Sequence, residues 1–281
     1  MKFASFQTKD GKATYGMVNG DRVVDLGADR PSLPSLKDFI GSDEFTSGKV
    51  AAKGQDYALS DVTLLPLIPN PGKIICVGLN YSEHIKETGR SDSEFPVLFL
   101  RTVTSQVGHG TPIVKAKNSD KFDYEGELAL VIGKPGRHIA PADTLSHIAG
   151  YSCYNDGTMR DFQRHTHQYT PGKNFDRSGS FGPFLVMPDV ITDRKATMLV
   201  TRVNGQEVQK ASLAHMVFSI EDIISYVSSY TTLETGDVIV TGTPGGVGDR
   251  RTPPLYLFEG DTVEVEITGV GLLSNSVVNE A

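Results

Sequence analysis

Three carboxylates have the types and spacing to do chemistry. Asp123-Tyr124-Glu125-Gly126-Glu127 runs directly into the apolar stretch Leu128 to Ile132. That stretch predicts a strand. Residues two apart in a strand share a face, so Glu125 and Glu127 sit side by side, about 7 Å apart along the chain. Two such charges repel unless water or a cation screens them, and a hard divalent ion with oxygen ligands is the natural partner. Asp156 follows a second apolar run, Ile148 to Tyr154. If the two strands are neighbours, Asp156 completes a three-carboxylate site, a composition that favours Mg²⁺, Mn²⁺ or Ca²⁺ over zinc. The competing reading makes Glu125 and Glu127 the wet face of an amphipathic strand, because Glu-x-Glu is a common pattern. Two features count against it. Gly126 removes a side chain from the opposite face, and the strand ahead is apolar on both faces, as interior strands are.

Other groups have weaker signals. His84 and Glu87 are three apart in a short predicted helix and share a face. A carboxylate beside an imidazole raises its basicity and fixes its tautomer, so the pair can take a proton from water; an exposed helix pair has the same spacing. Arg160 and Gln163 fall on a predicted helical turn after Asp156, placed to contact a substrate or to brace the metal ligands. Arg160 would serve equally as a partner for Asp156 or Asp161. His165 and His167 have no third nitrogen or thiolate nearby and read as solvent-facing or substrate-proximal. The loop Thr241 to Gly248 lacks the Gly-Lys-Ser/Thr ending of a phosphate loop. A Gly-x-Ser-x-Gly nucleophile element is absent as well.

The elements that must position these groups are mostly strands. Residues 1 to about 65 form a small unit: a strand through Phe3, Ser5 and Gln7, then a hairpin from Thr14–Met17 through Asn19-Gly20 to Val23–Leu26, then a short helix from Ser35 to Ile40. Pro66, Pro69 and Pro71 interrupt periodic structure there and place a boundary between residues 1–68 and 69–281. Beyond it, apolar runs predict strands at Lys73–Gly78, Leu128–Ile132, Ala149–Tyr154, Phe184–Met187, Met198–Val203, Glu207–Lys210, Asp237–Thr241 and Asp261–Ile267. Asn204-Gly205 is a second hairpin turn. The clearest helix is Ser219–Ser228, with Ile220, Ile223, Ile224 and Val227 at helical spacing and Ser219 capping against Asp222. The sum is a mostly β, α+β protein and not a regular βαβ alternation.

Composition narrows the class. The 281 residues are 38% hydrophobic and 22% charged, with a formal net charge of −7 and no long basic run, so nucleic acid is excluded as a partner. An anionic substrate would need locally placed positive charge or a metal to enter so acidic a chain. Cys76 and Cys153 are too few for a disulfide framework. No apolar run reaches membrane-spanning length and the first residues lack a signal-peptide core, so the expected location is the cytoplasm.

The series DYEGELALVIGK, YNDGTMRDFQ, GKNFD, FGP and TGTPGGVG, with CVGLNYSEHIKE upstream, resembles the fumarylacetoacetate hydrolase family in order over roughly residues 70 to 278. The resemblance implies a mixed β-sandwich roll, a homodimer, and Mg²⁺ or Mn²⁺ held by Glu125, Glu127 and Asp156. Some members carry a fourth acidic residue before the lid; here that stretch reads Gly78-Leu79-Asn80-Tyr81, so three carboxylates are expected. The resemblance places His84 and Glu87 in the family's lid as the base, points Lys173 at the substrate, and assigns Thr243 to the substrate carboxylate. Tyr81 either hydrogen-bonds substrate or packs under the lid. Arg90, Arg101, Arg250 and Arg251 either meet a distal carboxylate or are simply solvated.

Members cleave carbon–carbon bonds in acylpyruvates and related 2,4-dioxo acids, or decarboxylate or isomerise similar small 2-oxo acids. The lid pair favours hydrolysis: His84, aided by Glu87, deprotonates a water that attacks the C4 carbonyl, and the resulting pyruvate enolate is stabilised by the metal and Lys173. The alternatives are an oxaloacetate-type decarboxylase or an isomerase of a hydroxymuconate-type dioate. A non-catalytic cation-binding protein is a third.

Overall fold

The computed structural model describes residues 1–89 and 93–281. Among the described residues, strands dominate. The larger sheet runs in the order Asp56–Ala58, Arg22–Asp25, Ala13–Asn19, Lys2–Gln7, Gly179–Val186, Ile148–Asn155, Gly126–Ile132, Val238–Val240, Ile74–Gly78 and Val97–Leu100. Its pairings are antiparallel except for Val238–Val240 beside Ile74–Gly78 and the short strand Gln106–Val107 beside Gly179–Val186. A second sheet joins Gln206–Ser212, Met198–Val203, Thr262–Ile267, Gly271–Asn279 and Ile113–Lys115.

Alternation along Gly126–Ile132 explains how the sheets stack. Leu128, Leu130 and Ile132 face the second sheet and meet Leu199, Val265, Ile267 and Leu273, together with Ile223, Ile224 and Val227 of the helix Ile220–Tyr230. Ala129 and Val131 face the other way, into a core shared with Phe3, Leu36, Phe39 and Ile74. A strand buried on both faces and paired on both edges is an interior strand, as its unbroken apolar run predicts. The chain breaks at the prolines, but the sheet does not: Lys2–Gln7 pairs directly with Gly179–Val186, so the first residues extend the plate that carries the carboxylates.

Local signals hold at several points. Ser219 caps the helix Ile220–Tyr230 with a reciprocal bond to Asp222, and Ser35 caps Leu36–Ile40 against Asp38 in the same way. At Asn204-Gly205 both residues take positive φ, 52° and 77°, and close a two-residue turn. The first hairpin differs from expectation: Asn19 pairs with Arg22, so Gly20-Asp21 is the turn and Asn19 stays in the strand. Both cysteines are buried thiols.

Gly126 is the point where the site meets the sandwich. A Cβ there would lie 2.0 Å from Thr201 Oγ1 and 3.3 Å from a Val265 methyl, both in the second sheet. Glu125 and Glu127 are thus held on one side of a strand whose other side touches the facing sheet. Gly126→Ala should therefore lower stability by about 1–3 kcal/mol, the usual cost of overpacking, read as a lower urea midpoint with unchanged slope. An unaltered midpoint would mean the sheets separate freely at this point.

Candidate metal centre and cleft

The strand pair that carries the carboxylates is locked at its end. Gly126 pairs with Asn155 in the antiparallel ladder. The Asp156 amide donates to the Glu125 carbonyl at 2.8 Å, and the Glu125 amide donates to Asn155 Oδ1 at 3.1 Å. One carboxyl oxygen each from Glu125, Glu127 and Asp156 consequently lies within 4.8 Å of the others, and all three residues are buried.

Three cations surround them. Lys173 Nζ lies 2.5 Å from Glu125 and 2.6 Å from Asp156, and 5.0 Å from the centre of the Phe99 ring. Arg160 Nε lies 2.7 Å from Asp123, and its Nη2 lies 2.7 Å from Glu125. Arg101 pairs with the other oxygen of Asp156 and donates to the Gly157 carbonyl, Ser178 Oγ and Ser105 Oγ. Two expectations are corrected here. Arg160 braces Asp123 and Glu125, not Asp156 or Asp161, because the turn Arg160–Gln163 lies against the short ladder of Phe122–Asp123 with Thr158–Met159. Arg101 neither reaches into the cleft nor meets solvent: it is 4% exposed and holds Asp156 from behind. Arg251 is also structural, donating to the Tyr124 hydroxyl and to the Gly246 and Val208 carbonyls. Arg90 lies outside the described residues.

Among the described residues, Glu127 is the one of the three carboxylates without a cation in contact. It accepts the Gly242 amide at 2.5 Å. Gly242 has φ +103°, and a Cβ there would meet Asn80 Cβ at 2.7 Å, so only glycine presents that amide. Burial, then Asp156 and Glu125, push the Glu127 carboxyl well above its usual range. Burial also opposes charge on Glu125, but Lys173 and Arg160 outweigh it and bring that carboxyl down to about 2. Lys173 is raised too: burial disfavours its charge, and Asp156 and Glu125 more than offset this.

A cleft of about 380 Å³ opens over this cluster. Its wall includes all three carboxylates with His84, Arg160, Gln163, Lys173 and Thr243. The helix Ser82–Thr88 presents His84, 6% exposed, with Nδ1 3.2 Å from Glu87 Oε2. Glu87 also accepts the Gly246 amide at 3.1 Å, which ties this helix to the glycine loop. Gln163 accepts from Arg160 at 3.1 Å. The Thr243 hydroxyl donates to the Gly126 carbonyl and accepts from Gln209, so it must turn before it can donate to a substrate carboxylate. Tyr81 is buried and is not on the cleft wall. Burial and the nearby Glu127 charge suppress its acidity. Its hydroxyl is buried with no hydrogen-bond partner among the described residues. Asn80 is a brace, bonded to Phe218 and Thr241. His167 lines the cleft, while His165 stacks on Phe162.

The donor set suits a divalent ion. Asp123, Glu125, Glu127 and Asp156 bring four carboxylates against Arg101, Arg160 and Lys173, and a buried excess of negative charge is costly. Three carboxylate oxygens within 4.8 Å of one another, one of them with no cation in contact among the described residues, are what a hard dication neutralises. Asp123 was legible in principle, since it continues the every-second-residue register of Glu125 and Glu127. The Gly242 amide left no side-chain signal.

The chain matches the family description Fumarylacetoacetate (FAA) hydrolase C-terminal over residues 73–278, and Rv2993c-like, N-terminal over residues 1–66. It is 38% identical over 288 residues to the mitochondrial oxaloacetate tautomerase fahd2 of Xenopus laevis, covering 99% of this chain and 90% of that one. It is 37% identical over 301 residues to the oxaloacetate tautomerase YisK of Bacillus subtilis, covering 99% and 100%. The maleylpyruvate hydrolase of Sphingobium sp. SYK-6, solved in complex with manganese(II) and pyruvate, superimposes with a TM-score of 0.83 at 27% identity over the whole of both chains. With its sandwich, its ordered motifs and full-length relatives in agreement, the chain belongs to the fumarylacetoacetate hydrolase family of enzymes.

Proposed function

We propose that this protein is a divalent-metal-dependent tautomerase of a small 2-oxo acid of the oxaloacetate type, using Mg²⁺ or Mn²⁺. The observation that carries the reading is a single imidazole–carboxylate pair, His84 with Glu87, on the same cleft wall as the carboxylate triad and Lys173. Full-length relatives that are oxaloacetate tautomerases support it. Hydrolysis, the reaction ranked first from the motifs, needs a bound water and a scissile bond in addition. Tautomerisation needs only one proton removed and returned.

Glu125, Glu127 and Asp156 would hold the ion, which supplies Lewis acidity to the substrate's carboxylate and 2-oxo oxygens. Lys173 places a fixed positive charge beside that end of the substrate, and its own carboxylate contacts keep it charged. The Glu87 carboxylate holds the proton on His84 Nδ1, leaving Nε2 as the acceptor. Nε2 would take a proton from C3, the C–H electron pair forming the C2=C3 double bond as the carbonyl π pair moves onto the C2 oxygen. Returning the proton to that oxygen completes the conversion, with no water consumed and no carbon–carbon bond broken. Val77, Leu79 and Phe99 supply an apolar wall that limits water beside the reacting carbon.

A second reading keeps the same residues. The His84–Glu87 pair can equally take a proton from water, which would make an acylpyruvate the substrate and a carboxylic acid plus pyruvate the products.

Purified protein with Mn²⁺ should speed the loss of the ultraviolet enol band of oxaloacetate above the buffer rate, and EDTA should abolish this. His84→Ala should lower kcat by about 10²–10⁴-fold while Mn²⁺ affinity by calorimetry stays within twofold. No acceleration, with acid and pyruvate released from acylpyruvates instead, would replace the tautomerase with the hydrolase.

The metal site makes its own expectations. Glu127→Gln should weaken Mn²⁺ binding by ~100-fold or more, through loss of a charged ligand. Arg101→Lys keeps the charge but cannot reach all the oxygens that Arg101 bridges, and should weaken Mn²⁺ by about 10–100-fold, as loss of a ligand-orienting partner does. Wild-type affinity in Arg101→Lys would show that Asp156 is positioned by its backbone alone.

A further inference from the structure

Of the four arginines that were candidates for a distal carboxylate, the three described ones differ in their contacts. Arg101 and Arg251 are committed to structural acceptors, and Arg90 lies outside the described residues. Arg250 lines the cleft with its side chain 37% exposed. Its sole ionic neighbour among the described residues is Asp249, with Nε 3.6 Å from Oδ2, beyond hydrogen-bond length. That oxygen is already taken by Arg164, and the other accepts from the Tyr256 hydroxyl at 2.8 Å. Among the described residues, the rim therefore carries two guanidinium groups against one satisfied carboxylate.

The segment that presents Arg250 is rigid. The Gly248 and Asp249 amides donate to the Asp123 carboxylate at 2.8 and 2.9 Å, and Leu255 N closes back on the Gly248 carbonyl at 2.9 Å. Asp123 is the carboxylate that also orients Arg160. One buried acid thus fixes the rim relative to the metal site, which is the requirement for reading two ends of one ligand. Charge points the same way. A divalent ion would add positive charge to the inner cluster, and the carboxylate beside a 2-oxo group would offset it. The rim's uncancelled positive charge is left for a second anion.

We propose that Arg250 reads a second carboxylate of the substrate, so that this cleft selects 2-oxo dicarboxylates over 2-oxo monocarboxylates of the same length. The proposal rests on the tautomerase reading only for the 2-oxo acid head, since a hydrolase of a dioic acid would need the same contact.

Calorimetry on the Mn²⁺-loaded protein with 2-oxoglutarate and 2-oxopentanoate, which differ only in a carboxylate for a methyl, tests it. Wild type should bind the diacid at least tenfold more tightly. Arg250→Ala and Arg250→Gln should erase that preference, leave 2-oxopentanoate and Mn²⁺ binding unchanged, and raise KM for oxaloacetate with kcat within threefold; Arg250→Lys should keep part of the preference. No preference in wild type, a preference that survives in Arg250→Ala, or an equal loss for both acids would overturn the assignment. A preference that depends on Arg250 in a protein inactive on oxaloacetate would sink the tautomerase reading and leave this one standing.

Discussion

The rest of the site depends on accommodating four buried carboxylates beside one another. Each of the three buried cations touches at least one of them, and no two cations hold the same pair of acids. Taking charges out of water is repaid only when geometry and extra hydrogen bonds are good. That requirement explains why backbone amides from distant segments converge here. Gly242 serves Glu127, while Gly248 and Asp249 serve Asp123. The loops around the cleft are placed by the electrostatics of the centre as much as by their own sequence.

Two kinds of support follow from this. The triad sits on interior strands packed on both faces, so its spacing is set by the sandwich. The helix Ser82–Thr88 is held more lightly. It begins after Leu79 at φ 57° and ends at Gly89 at φ 69°, and Glu87 reaches across to the Gly246 amide. His84 and Glu87 thus sit on a short helix tied back through Glu87, and the carboxylates on an interior strand paired on both edges.

Much of the centre was legible because period-two alternation is strict. Glu125 and Glu127 share a face wherever the strand lies, and Asp156 follows from a second apolar run that ends beside the first. The fold class followed from the same runs and from the turn at Asn204-Gly205. Arginine roles were not legible. Arg101, Arg160, Arg250 and Arg251 look alike in the chain and do four different things, because an arginine's partner is fixed by tertiary distance. Arg101 finds Asp156 only because Ile74–Gly78 and Val97–Leu100 pair and turn the following residue inward. Choosing among proton transfer, hydrolysis and decarboxylation was equally out of reach, since all three pass through the same enolate and call on the same residue types.

The continuous large sheet has a bearing on how the chain assembles. Lys2 and Phe3 pair with Val186 and Leu185, and Phe3, Tyr15 and Phe39 share one core with Ala129 and Val131. During synthesis the first strands leave the ribosome long before the strand that will border them. They can close their own hairpin early, and Thr63–Leu64 then covers Phe6 and Gln7, but the Lys2–Phe3 end of that edge stays open until Gly179–Val186 arrives. Such long-range pairing is slow and leaves sticky edges exposed meanwhile. The metal site forms late for the same reason, because Lys173 and the Gly242 amide follow all three carboxylates in the chain. Folding order and ion capture are therefore coupled: the full set of partners exists only once the chain has been made as far as Gly242.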